Sequence, residues 1–160
     1  MKKGLFVGVL CAMLFGLAGC VDKEAKEEVK NYVETTSVSL KKQEQTMLVS
    51  YTSVIGENYT DDDTLCMELV LNTIPMATAL RSEAENVAGA IAEVELAKVH
   101  ASYVNYITEF EAALRLLLTA VDEQDKSISE EANMMLNNAN TYATEFKTEL
   151  QALKKKYRIE

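Results

Sequence analysis

Few side chains in this sequence could do chemistry, and the sharpest candidate is His100, the sole histidine of 160 residues. It belongs to an apolar repeat, Leu96, His100, Tyr103, Ile107, Phe110, Leu114, Leu117 and Val121, whose alternating steps of four and three put the imidazole on the inward side of a helix. A buried imidazole in a helical bundle can ligate haem or a metal, with Met47, Met67, Met76, Met134 and Met135 as candidate partners. The surrounding sequence argues against that use. The Cys-x-x-Cys-His attachment motif is missing. One histidine cannot furnish the two Glu-x-x-His motifs of a di-iron bundle. Met134 and Met135 are adjacent, so on a helix they point about 100° apart; methionines at core spacing usually fill gaps. The favoured reading is a packed histidine bonded to Tyr103 or Tyr106, or one at the mouth of the bundle. A small-ligand or haem site centred on His100 is the alternative. No cofactor or metal is expected.

Other chemistry finds less support. The chain has no Gly-x-Ser-x-Gly elbow, and its six glycines form no phosphate-cradling loop. Cys66 lies in Leu65-Cys66-Met67, a setting for an inert, buried thiol. Asp61, Asp62 and Asp63 offer hard oxygen ligands, but a calcium loop alternates its ligands and needs a glycine at its sixth position. Thr60 as a cap with acidic first-turn residues explains the run better. Glu93 with Glu95, and Glu109 with Glu111, stand two apart on a helix, do not face each other, and read as solvated surface. The expectation is a protein that is not an enzyme.

The elements that carry these residues read as helices throughout. After Cys20 there are two glycines, Gly56 and Gly89, and one proline, Pro75, and β-branched residues do not alternate with polar ones. The spacing predicts helices over about 22–55, 62–87 with a kink at Pro75, 90–122 and 127–158. In the first, Ala25, Val29, Val33, Thr36, Leu40, Met47, Tyr51 and Val54 form a stripe that Gln43 and Glu44 interrupt. Around Pro75 the chain either kinks or stops near Leu71 and restarts with Thr73 as cap. A turn at Asn86 to Gly89 divides what would otherwise be one rod of about 90 Å. Ser127 and Glu130 have capping-box spacing ahead of the last helix, whose stripe runs from Ile128 to Tyr157. The predicted fold is therefore all-α, an elongated antiparallel bundle of four helices, with three helices and one long central rod as the alternative.

The amino terminus gives an address. Lys2 and Lys3 precede an apolar run from Leu5 to Phe15, too short to span a bilayer, which closes on Leu17-Ala18-Gly19-Cys20. This stretch resembles the lipobox of bacterial lipoproteins. The resemblance implies cleavage between Gly19 and Cys20, a 1–19 signal peptide, a lipid on the Cys20 sulfur, and a single domain over 20–160. Two or more acyl chains anchor stably where one is marginal. The chain also resembles the small all-helical lipoproteins of Gram-positive-type bacteria, through Ile74-Pro75 opening a segment and the tail at Leu153, Lys156 and Tyr157. That family brings no site residues. With the leader removed, 14 basic residues face 25 acidic ones, a charge of −11. Such a surface repels nucleic acid. Only Cys66 then remains as a thiol, so no internal disulfide can form. Lys154, Lys155, Lys156 and Arg158 offset the last helix dipole as a solvated end.

Together these features imply an extracytoplasmic lipoprotein held to the cell membrane through Cys20, acting as a non-catalytic interaction or accessory module of the envelope. In a cell with an outer membrane, Val21 after the cysteine implies placement there. An envelope protein is the expected partner, met by exposed aromatics drawn from Tyr32, Tyr59 and Tyr106.

Overall fold

The structure, a computed structural model, describes residues 23–160. The leader, Gly19 and Cys20 lie outside the described residues.

Four helical rods pack side by side, alternating in direction, and the described residues contain no strand. The first rod joins α1 (Lys23–Asn31) to α2 (Ser37–Thr52) through a π-helical turn at Tyr32–Thr36. The second joins α3 (Asp62–Glu68) to α4 (Ile74–Ala90) through a matching π-turn at Leu69–Thr73. The third and fourth are unbroken: α5 (Val94–Glu123) and α6 (Lys126–Tyr157). The predicted all-α bundle of four helices is the architecture observed.

The unbroken pair follows its sequence pattern closely. Leu96, His100, Tyr103, Ile107, Phe110 and Leu114 are all buried, and Leu117 and Val121 pack against the same core. The seam of α5 is thus covered within one chain. Each such fully buried apolar side chain contributes roughly 1.5–3 kcal/mol. From α6, Ala132, Ala139, Ala143, Leu153 and Tyr157 are buried.

The first two rods depart from a regular stripe. In the first, Val29, Tyr32, Leu40, Met47, Tyr51 and Val54 point inward, so Tyr32 takes the place that the sequence pattern assigns to Val33. From Tyr32 to Leu40 is a step of eight. The amide of Ser37 bonds the carbonyl of Tyr32, five residues back, so the π-turn absorbs one residue and the other seven keep both side chains on one face. In the second rod, Ile74 N–H bonds Leu69 O across the same five-residue step. Pro75 therefore falls at the start of the next α-helical stretch, where its missing N–H costs little. The expected kink or restart at Pro75 is thus met by a widened turn within a continuous rod. Thr73, buried in it, bonds Ser50 of α2 at 2.7 Å.

The connections also differ from the predicted ones. The second rod runs through Gly89 and breaks at 91–93, not at 86–89. Ile91 and Glu93 turn extended, and the carboxylate of Glu28 in α1 accepts from the amides of Ala92 (2.7 Å) and Glu93 (3.0 Å). Glu93 caps α5 through the Leu96 amide. Asp61 rather than Thr60 caps α3, bonding the Thr64 amide at 2.8 Å. Asp125 rather than Ser127 caps α6, bonding the Ser127 amide at 2.8 Å. In both cases the aspartate one or two residues from the predicted cap presents the stronger acceptor. The first rod ends at Thr52, and Gly56, in the turn after it, takes a left-handed φ of 60°.

Candidate functional site

His100 is completely buried and spans three rods. Its Nε2 lies 2.8 Å from the carbonyl oxygen of Ala84 in α4, which can only accept, so Nε2 carries the proton. Nδ1 must then accept, and Tyr32 of the first rod donates to it at 2.7 Å. Tyr32 also meets the imidazole edge-on, and Tyr103 stacks on it. Burial holds the imidazole below the usual histidine range despite the bond to Ala84. The partner is Tyr32 rather than Tyr103 or Tyr106, because the π-turn brings Tyr32 inward. With both ring nitrogens committed, the imidazole has no lone pair to offer a ligand unless one of these bonds opens.

One carboxylate that the sequence pattern leaves on the surface is inside. Glu111 is about 5% exposed. It accepts from Arg81 Nε at 2.7 Å, from Arg115 at 2.6 and 3.0 Å, and from the Thr78 hydroxyl at 2.7 Å. Burial pushes its carboxyl up, but the bonds from Arg81, Arg115 and Thr78 outweigh burial and hold it low. The reading of Glu109 and Glu111 as solvated surface therefore fails for Glu111. Within the sequence only Arg115, four residues on, marks Glu111 off from Glu109; Arg81 and Thr78 reach it from another rod. Likewise Glu93 is a cap that also accepts from Tyr157 at 3.2 Å, and Glu95 pairs with Lys156.

Glu44, one of the two residues that break the first stripe, sits half-buried under the hydroxyls of Tyr106 (3.2 Å) and Tyr103 (3.5 Å). Burial pushes its carboxyl above the ordinary range, against the pull of the two tyrosines, Lys147 and Lys41. The other, Gln43, donates to Glu83 at 2.5 Å. Glu44 stands on the floor of a groove of about 680 Å³ between the first rod and α6. Leu40, Leu48, Phe146 and Leu150 form its apolar walls, Tyr103 and Tyr106 its base, and Lys41, Lys147 and Lys154 its charged lining. Ser37 and Ala143 are the small side chains of its lining. Its volume lies within the roughly 300–1,000 Å³ of small-molecule sites.

Of the aromatics expected on a docking face, Tyr32 and Tyr106 are buried and only Tyr59 is exposed. Met67, Val70 and Leu71 are exposed together on the second rod. Cys66 is partly buried, and burial with Asp62, Asp63 and Asp122 pushes its thiol up, away from the reactive thiolate. Among the described residues no three His, Cys, Asp or Glu side chains are grouped to hold a metal ion, and no helix is long and apolar enough to cross a membrane.

Compared with known proteins, the chain matches no protein-family model, no curated protein and no solved structure.

Proposed function

We propose that this chain is a lipid-anchored module of the bacterial envelope, fastened by an acylated Cys20 to the extracytoplasmic face of the membrane and working by contact rather than catalysis. In a cell with an outer membrane, that is where it resides. The observation that carries the reading is Leu17-Ala18-Gly19-Cys20 closing a short apolar run. The interior lends support, because its polar side chains are occupied in joining rods: His100 with Tyr32 and Ala84, Glu111 with Arg81 and Arg115, Thr73 with Ser50. Groups engaged in this way are not poised to take up a substrate proton. The cluster of Met67, Val70 and Leu71 is an apolar contact face for an envelope partner.

The test is mass spectrometry of the amino terminus of protein extracted from membranes, beside a Cys20→Ser variant. A terminus beginning at an acylated Cys20, with the variant released from the membrane, is the expected result. An intact Met1 terminus, or an unmodified thiol at position 20, would overturn the reading. The haem alternative is tested by adding haem to the purified protein: a Soret shift that disappears in His100→Ala would replace contact by cofactor binding.

A further inference from the structure

The groove between the first rod and α6 has a charge opposite to that of the chain around it. Acidic residues outnumber basic ones 25 to 16 in the whole sequence, yet the groove is lined by three lysines and one carboxylate. That carboxylate, Glu44, is compensated by Lys41, Lys147 and two tyrosine hydroxyls. Lys154 makes no ion pair among the described residues and adds positive charge at the end of the groove near Val33. Apart from Ser37, Gln45 and Gln151, the rest of the lining is apolar or aromatic. A cationic end joined to an apolar trough is complementary to an amphiphile with an anionic head.

Shape narrows the choice. The lining runs along the first rod from Val33 to Leu48, a span of about 22 Å at 1.5 Å per residue. The chains of one lipid leaflet reach roughly 15 Å, half the hydrocarbon core, which leaves room for a head at the Lys154 end. A helical peptide of the same length, about 11 Å across, has a volume on the order of 2,100 Å³ and would lie largely outside the groove. A single extended hydrocarbon tail matches the length of the groove.

We propose that this groove binds a long-chain carboxylate. The head lies at the Lys154 end, and the tail runs past Lys41 and Lys147 and over Tyr103 and Tyr106 toward Leu48. The proposal does not rest on the lipid anchor, since Cys20→Ser would change the protein's location and leave the groove intact.

Palmitate titrated into the full chain, purified and stripped of lipid, tests this by displacement of a fluorescent fatty acid. The chain has no tryptophan, so tyrosine circular dichroism gives a second readout from the groove floor. Saturation at one equivalent is expected, with cetyl alcohol binding at least tenfold more weakly. Lys41→Glu combined with Lys154→Glu should weaken palmitate at least tenfold and leave the alcohol unchanged, while Lys126→Glu, outside the groove, changes neither. Ser37→Phe, which fills the trough, should abolish binding of both; the lysine pair keeps the test decisive should that variant not fold. Absence of saturable binding, palmitate affinity indifferent to the lysine pair, or an alcohol bound as tightly as the carboxylate would each overturn the proposal.

Discussion

The two halves of this bundle solve the same packing problem differently. The α5–α6 pair keeps a three-and-four rhythm along 30- and 32-residue helices without interruption. Each of the first two rods instead carries one π-turn, and each turn supplies one polar pair that crosses the interior: Tyr32 with His100, Thr73 with Ser50. The uninterrupted α5 carries buried polar groups as well, His100 and Glu111, and each finds its partners on the first two rods. An inserted residue rotates one side chain inward without moving its neighbours off the core. The lesson is that the irregular half supplies specificity of register, while the regular half supplies apolar burial.

Removing single residues breaks this comparison most sharply. Deleting Thr108 from α5 would turn every seam residue beyond it by about 100°. The expected outcome is loss of a cooperative unfolding transition in circular dichroism. Deleting Thr35, exposed in the first π-turn, only removes the extra residue and restores a step of seven between Tyr32 and Leu40. Stability should then change by about 1 kcal/mol or less, a few degrees in Tm. Comparable damage from both deletions would mean that the π-turn is not a local insertion.

The link between the halves comes next in size. His100→Leu leaves the Tyr32 hydroxyl and the imidazole-bound face of Ala84 without a partner and should cost about 2–3 kcal/mol in urea unfolding. The same residue sets a pH dependence. Burial lowers its pKa in the folded state, so below about 6.5 the unfolded chain takes up a proton that the folded chain refuses. Stability should therefore fall as pH drops through that value, and His100→Leu should lose this component of the slope. An unchanged slope in the variant would assign it elsewhere.

The smallest effect is at the end of the second rod. Gly89 is helical, and a Cβ there would meet nothing within 4 Å. Gly89→Ala should raise stability by about 0.5–1 kcal/mol. A loss instead would show that the rod opens at 89 and not at 91–93.

The regular half was legible in sequence because apolar spacing alone dictates it. Leu96 to Leu114 could be placed on one face before any coordinates. The irregular half was less so. A one-residue insertion leaves no compositional mark, so Val33 looked as suitable as Tyr32 for the interior. The 91–93 turn is hidden for another reason: Ile91-Ala92-Glu93 has ordinary helical composition, and the acceptor for its amides, Glu28, is more than sixty residues away in sequence. The burial of Glu111 depends on Arg81 and Thr78 of another rod, which helical spacing along α5 does not reveal. The groove is legible only in three dimensions, since its lysines come from two rods and its floor from a third.

Glu28 has one mechanical consequence. Because its carboxylate clasps the hinge between the second and third rods, tension applied at the amino-terminal end would load that hinge before it reached the α5–α6 hairpin. A pull from a tethered terminus would then loosen the molecule from its irregular side, with the long hairpin yielding last.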